Sequence, residues 1–290
     1  MPENFGYEVA EEQAVDLVQS ILGSGIRAID TANGYSAGRS EQRIGAGIAQ
    51  AGGLPHDFLI ATKVDAKGRD YSGERVRESV RESRERLGID TLQLVYLHDP
   101  EFHDFDALTA PGGAVQTLVR LRDEGLIAHI GLAGGDVHQM ARYLDTGVFE
   151  VLLVHNRWTL VDRSATELIE RAAADGIAIV NAAIYGGGIL ARPHAGLKNY
   201  GYRPATTATL RAIEAMVVLC KRFETDISTA ALQWSLRDPR IASTVVGFSK
   251  PERIPGLMSA AQTRLPDDFW SELHEFVPTI ENWLDFQNAR

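Results

Sequence analysis

Residues 73–98 read GERVRESVRESRERLGIDTLQLVYLH. Val76, Val80 and Leu87 recur there at helical spacing, and charged residues fill the turns between them. That periodicity predicts a helix over Gly73–Leu87 with one apolar side and one wet side. Gly88 reads as its left-handed cap, because glycine enters that conformation without a Cβ penalty. Leu92–His98 is then apolar almost without interruption, as suits a strand buried on both faces of a parallel sheet. The stretch is one helix–turn–strand unit.

The unit recurs along the chain. Strand-like runs occupy Arg27–Thr31, Phe58–Val64, Ile127–Ala133, Val151–Asn156, Ile177–Ala183 and Ile241–Gly247. Helix-like runs occupy Glu11–Leu22, Ser40–Ala49, Gly113–Asp123, Val137–Leu144, Ser164–Ala174 and Thr206–Phe223. Glu124-Gly125 and Asp175-Gly176 stop two of the helices as Gly88 stops its own. Alternation with short links implies parallel crossovers, hence the α/β class. No Pro/Ser/Gly-rich linker or change of charge regime divides the chain, so residues 1–290 read as a single domain. Seven units in succession favour a (β/α)8 TIM barrel over a doubly wound sheet.

Seven strands are one short of closure. The first barrel strand is therefore expected to be missing or shortened at the N-terminus. The MPENFGY segment (residues 1–7) would fill the gap, a second copy would cover the open seam as a homo-oligomer, or the native chain would begin upstream of Met1. The last is the expectation, since MPENFGYEV reads like a loop leading into the first helix.

Composition bounds the function. Of the 290 residues, 44% are hydrophobic and 23% charged, which excludes disorder and coiled coil. Lys+Arg is 29 and Asp+Glu 39, a formal charge of −10, so broad nucleic-acid binding is not expected. A local basic pocket for a phosphorylated cofactor remains compatible with that charge. Cys220 is the single cysteine and reads as a small core residue; an intrachain disulfide framework is excluded. The acidic N-terminus lacks a signal-peptide core, and no stretch of 18 apolar residues occurs. A cytoplasmic protein with no membrane association is expected.

Functional residues of such barrels sit at the C-terminal ends of the strands. The first three runs end near Asp30, Lys63 and His98, and Tyr35 follows the first. A buried Lys63 needs a counter-charge, which Asp30 on the neighbouring strand supplies. An ammonium beside Tyr35 favours the phenolate and is expected to lower the pKa of the phenol. Such a tyrosine exchanges a proton with a carbonyl or alcohol, and His98 orients the same oxygen. Each residue alone also has a bland reading, as a turn, a solvated head or a packed histidine. Their coincidence at successive strand ends favours a site.

With GIRAIDTANGY, SEQRIGAGI, FLIATKV, VRESVRESRERLGIDTLQLVYLH, GLIAHIGLAGG, ALQWSLRDPRIASTVVG and FSKPERI in this order, the sequence resembles the aldo-keto reductase family over almost its whole length. The resemblance implies a (β/α)8 barrel, NADP or NAD as cofactor, carbonyl–alcohol interconversion, and Asp30, Tyr35, Lys63 and His98 as the catalytic tetrad. YLHDPE, VHNRWTLVDRSA and NAAIYGGGIL are most similar to the sugar dehydrogenases of L-fucose and related D-threo-aldoses. Pyridoxal 4-dehydrogenase and L-galactose dehydrogenase are near relatives of those. A small sugar or aldehyde is the implied substrate, with a general aldehyde or ketone reductase as the alternative.

Gly247, Phe248, Ser249 and Lys250 follow the last strand, and Pro251-Glu252-Arg253 opens a helix, a suitable anion site. Lys250 and Arg253 add charge for a phosphate, and the family holds the adenosine phosphate there. Gly186, Gly187 and Gly188 allow close approach of a pyrophosphate. Gly45-x-Gly47 lies in a helix and is not a Rossmann fingerprint. Three positions depart from the family pattern. Ala133-Gly134-Gly135 replaces a Ser-Asn pair, His155 stands for a Gln, and Ala182 replaces a stacking Tyr, with Tyr185 nearby. His155 and Tyr185 are the candidate nicotinamide contacts. Residues 187–205 and the tail 281–290 are the expected substrate walls, with Tyr200, Tyr202 and Trp283 as aromatic contacts.

Two other readings compete. His98, Asp99, Glu101, His103 and Asp104 cluster after the third strand, with His129 and His155 on later ones, as in a metal-dependent hydrolase. The first strand, however, reads Ile29-Asp30-Thr31 instead of His-x-His, and HDPEFHD resembles a polar loop, so no metal site is assigned. A nucleotide-binding regulatory or channel-associated subunit is the non-enzymatic reading, and it has no need of a Tyr–Lys pair.

Overall fold

The computed structural model describes residues 9–286, which pack as two compact units. The MPENFGY segment, one of the three ways considered for completing the barrel, and residues 287–290 of the tail lie outside the described residues.

One unit holds residues 9–133, Tyr143–Val151 and Phe248–Pro255. In chain order it carries α1 (Glu11–Leu22), β1 (Ala28–Asp30), α2 (Arg39–Gln50), β2 (Leu59–Val64), α3 (Gly73–Leu87), β3 (Leu92–His98), α4 (Phe105–Thr109), α5 (Ala114–Asp123) and β4 (Ile127–Gly134). β1 pairs in parallel with β2, β2 with β3 and β3 with β4. Parallel pairing brings their C-terminal ends to one edge. Beyond β1 the ladder continues through Thr31 N–H to Ala61 O (2.9 Å) and Asn33 N–H to Lys63 O (3.0 Å). These two bonds lay the Asn33–Tyr35 turn over the end of β2.

α3 forms as its pattern predicts. Ser72 caps it by accepting the Arg75 amide, and Gly88 closes it at φ 67°. Val76, Val80 and Leu87 are buried, each contributing roughly 1.5–3 kcal/mol. The glycines of α2 serve packing. A Cβ on Gly45 would overlap the Arg86 carbonyl of α3, and one on Gly47 would stand 2.6 Å from Val18 of α1.

The second unit holds Gly134–Arg142, Leu152–Gly247 and residues 256–286. Its elements are α6 (Val137–Leu144, whose end belongs to the first unit), β5 (Val151–His155, whose first residue does), α7 (Thr166–Ala174), β6 (Ala178–Ala182), a hairpin of β7 (Asn199–Tyr200) and β8 (Arg203–Pro204), α8 (Thr207–Arg222), α9 (Ile227–Leu236), β9 (Ile241–Val245), α10 (Arg253–Gln262, whose start belongs to the first unit) and α11 (Asp267–His274). β6 and β9 pair in parallel. Met216, Leu219, Ile227, Ala230 and Phe269 sit at the centre of its core. Cys220 is buried among them, and burial pushes its thiol up to about 12.

Seven strands form one sheet in the order β1-β2-β3-β4-β5-β6-β9. The seven expected strands are thus present, with ends differing by one or two residues. β1 and β9, first and last in that order, carry exposed residues (Ala28, Ala242 and Ser243), whereas β2 and β3 have none. The sequence pattern left α9 and α11 unassigned. ISTAALQWSL is apolar around most of its circumference, so no amphipathic stripe announces α9.

Candidate active site

The parallel edge of the first unit assembles the four expected residues. The Lys63 ammonium is buried, ion-paired with Asp30, and donates to the Thr31 carbonyl at 2.7 Å. It lies 4.9 Å from the centre of the Tyr35 ring. The His98 ring meets Tyr35 edge-on, with centroids 5.7 Å apart. Asp30, Tyr35, Lys63 and His98 therefore form one cluster.

Burial alone would depress the Lys63 pKa, but Asp30 and then Tyr35 reverse the sign and raise it. The ammonium is kept charged. Tyr35 departs from the sequence expectation. Burial pushes its phenol up to about 12, outweighing the lowering effect of Lys63, and the charges of Asp30 and Asp99 raise it further. The resting site therefore holds a protonated phenol beside a protonated amine.

A second set of residues holds this cluster in place. Asn33 is buried and donates to Glu82 Oε2 at 3.0 Å, while its side-chain oxygen accepts from Arg75 at 3.1 Å. Arg86 donates to the Asn33 carbonyl at 3.0 Å and to the fully buried Glu41 at 3.1 Å. Thr62, beside Lys63, donates to Glu41 at 2.6 Å. The Tyr71 hydroxyl bridges β2 and β3, donating to the Val64 carbonyl at 2.8 Å and accepting the His98 amide at 2.9 Å. Asp65 accepts the Gly34 amide at 2.5 Å and faces His98 Nδ1 at 2.6 Å. Sequence reading missed these residues because their partners lie 7 to 53 positions away. The one available signal was the density of charge in VRESVRESRER on a helix expected to face the sheet.

The expected phosphate segment falls partly in the same unit. Gln13 of α1 donates to the Ser249 carbonyl at 3.0 Å and anchors it. Lys250 and Arg253 are exposed and make no ion pair among the described residues. Gly247 belongs to the second unit, and a side chain there would meet open space. Gly186, Gly187 and Gly188 all adopt positive φ, and a Cβ on Gly187 would project into empty space.

In the second unit His155 Nδ1 lies 3.2 Å from Asn156 Nδ2, and its ring stands edge-on to Tyr202. A Cβ on Gly135 would come within 2.8 Å of His155 and would overlap Arg157, which accounts for the glycine there. Tyr202 is exposed, as a contact residue requires. Tyr200 differs from its expected place on the wall. It is buried, and its hydroxyl is engaged with the Asn156 carbonyl (2.6 Å) and Thr159 Oγ1 (2.7 Å), so it packs the core. Trp283 donates to the Pro278 carbonyl at 2.9 Å. The two expected wall segments touch where Arg203 donates to the Leu284 carbonyl, and Thr206, just beyond the first segment, donates to Asn282 Oδ1.

The aldo/keto reductase family model matches residues 3–278. The chain belongs to the aldo/keto reductase family. D-threo-aldose 1-dehydrogenase of Pseudomonas sp is 28% identical, over 93% of this chain and 90% of that protein. Pyridoxal 4-dehydrogenase of Microbacterium luteolum is also 28% identical, over 91% of this chain and 88% of its own. A solved aldo-keto reductase from Bacillus halodurans (holo form) superposes with a TM-score of 0.77 at 20% identity, covering 93% of this chain and 89% of the other. That likeness shows the fold, the (β/α)8 class expected from the strand pattern. As an aldo-keto reductase, the protein is an NAD(P)-dependent oxidoreductase. Among the described residues, no helix is long and apolar enough to cross a membrane.

Proposed function

We propose that this aldo-keto reductase interconverts the C1 hydroxyl of an aldose of the L-fucose or D-threo type with the corresponding lactone, using NAD or NADP. The observation that carries the reading is the Asp30–Lys63–Tyr35–His98 cluster on one strand edge. The likeness to a D-threo-aldose 1-dehydrogenase supports the substrate class.

The nicotinamide ring, when bound, supplies the hydride acceptor or donor. Every other task belongs to the chain. In reduction, Tyr35 gives its hydroxyl proton to the carbonyl oxygen, and Lys63 stabilises the phenolate left behind. In oxidation, the phenolate takes the proton of the C1 hydroxyl. Asp30 keeps Lys63 charged, and His98 hydrogen-bonds the reacting oxygen. Because Tyr35 rests as a phenol, the free protein is ready for reduction and must lose a proton before oxidation. Lys250 and Arg253 would hold the adenosine phosphate, and His155, Tyr185 and Gly186–Gly188 would contact the remainder.

The test is a panel of aldoses, pyridoxal and simple aldehydes, each with both cofactors. Aldose oxidation with formation of a lactone is expected. Turnover of pyridoxal alone would move the assignment to the second relative's activity. No turnover of any member with either cofactor contradicts the reading.

A further inference from the structure

Asp65 is a carboxylate at the rim of the site with no part in the reaction described above. Its two oxygens are divided. Oδ2 accepts the amide of Gly34, the residue preceding Tyr35, at 2.5 Å. Oδ1 lies 2.6 Å from His98 Nδ1. The rest of the residue is also fixed: its amide donates to Ser79 Oγ, and its carbonyl accepts from the Arg75 guanidinium at 3.2 Å. The space is close-fitting, since a Cβ on Gly34 would stand 3.0 Å from Asp65 Oδ2.

A carboxylate only accepts, so His98 Nδ1 must carry the proton between them. His98 Nε2 makes no hydrogen bond among the described residues; its nearest ionic neighbour is Asp99, at 3.8 Å. Of the ring's two nitrogens, one is engaged and the other is left for the substrate oxygen. Which nitrogen of a histidine acts is set by the bond that the other makes.

We propose that Asp65 is a positioning residue for carbonyl–alcohol chemistry: it holds His98 as the Nδ1–H tautomer, with its orientation tied through Gly34 to the Tyr35 turn. The proposal rests on the tetrad reading given above. It also gives one carboxylate a joint hold on the turn that carries the acid–base residue and on the residue that orients the substrate. The two are 63 positions apart in the chain, Tyr35 in the turn after β1 and His98 at the end of β3, and Asp65 makes their spacing one quantity.

Asp65→Asn is the discriminating variant because it preserves size. Its amide oxygen still accepts from Gly34, but its NH2 now faces Nδ1. That arrangement favours a proton on Nε2 instead. Protein labelled with 15N-histidine, followed through a pH series, reports the tautomer of the neutral ring, with His98 assigned by its loss in His98→Gln. Expected are Nδ1–H in the wild type and Nε2–H in D65N, at an unchanged melting temperature. Turnover of D65N should fall roughly 10- to 100-fold, the size seen when a partner orienting an imidazole is lost. Cofactor affinity should not change, and D65E should recover part of the turnover. In a His98→Gln background D65N should add no further loss.

A wild-type proton on Nε2 overturns the proposal. So does a D65N protein with unchanged tautomer and turnover, or a full additional loss in the His98→Gln background. Tyr35→Phe, measured in parallel, separates the two claims: normal turnover there defeats the tetrad reading, while the spectra still decide whether Asp65 sets the tautomer.

Discussion

Tyr35 is a buried phenol beside a buried ammonium, and the two effects oppose each other. Burial prevails and places its ionisation at about 12, above the ordinary value of 10. The sign follows directly. A raised pKa means that the folded protein favours the protonated form, and this contribution to stability fades as pH climbs from 10 toward 12. Ultraviolet titration of the free protein, compared with Tyr35→Phe, should lose one phenol that ionises near 12. Ionisation of that phenol at 10 or below would contradict the burial argument. Reduction should stay level from pH 7 to 9, because the acid is already protonated, while oxidation should rise with pH. Loss of oxidation with rising pH would show that a different group takes the proton.

The clustering of these residues was largely legible. Asp30, Lys63 and His98 end consecutive apolar runs, so the parallel arrangement alone brings them together. The ionisation of Tyr35 was not legible, because a sequence shows the charged neighbour and hides the degree of burial. Tyr200 was misplaced for the same reason. An aromatic in a Gly-rich loop reads as an exposed wall, and the Asn156 and Thr159 bonds that bury it come from another loop.

At the scale of elements, α3 supports the site from beneath. Glu82 on its inner side is held at about 2, first by its hydrogen bond with Arg75, against an opposing effect of burial, with Asn33 and Arg86 assisting. A depressed carboxyl stabilises the fold above its ordinary value near 4.5, and that contribution is lost as pH falls from 4.5 toward 2. Glu82→Gln should therefore flatten the acid limb of the stability curve in that window. An acid limb identical to that of the wild type would show that the pair contributes nothing. Gly45 makes the opposite kind of prediction. Alanine is the better helix former by about 1 kcal/mol, yet Gly45→Ala should lower the melting temperature. Its Cβ would meet the Arg86 backbone, and overpacking costs typically 1–3 kcal/mol. A melting temperature equal to or above the wild type's would mean that α2 and α3 have slack between them. Helical periodicity alone predicts α3, but it gives no sign that Gly45 marks a helix crossing. A glycine's purpose is visible only from what surrounds it.

For the molecule as a whole, the proposed function puts chemistry and cofactor recognition on different segments of one chain. The tetrad lies within residues 30–98, and the phosphate segment begins about 150 residues later. Lys250→Ala with Arg253→Ala should weaken NADP more than NAD, since only NADP carries the extra phosphate. Equal loss for both cofactors, or no loss, would place the adenosine end elsewhere. The number and order of the strands were legible because hydrophobic runs and glycine stops repeat along the whole chain. The finer substrate was not, because the walls are loops, and their contacts, such as Arg203 with Leu284, join distant segments.

The account depends above all on Tyr35 as the acid–base group. Aldose oxidation by Tyr35→Phe, measured beside cofactor binding, tests it. The substitution keeps the ring and removes one hydroxyl. Turnover should fall by about 10²–10⁴-fold, the usual worth of general acid–base catalysis, with cofactor affinity unchanged. Turnover near that of the wild type would contradict the account.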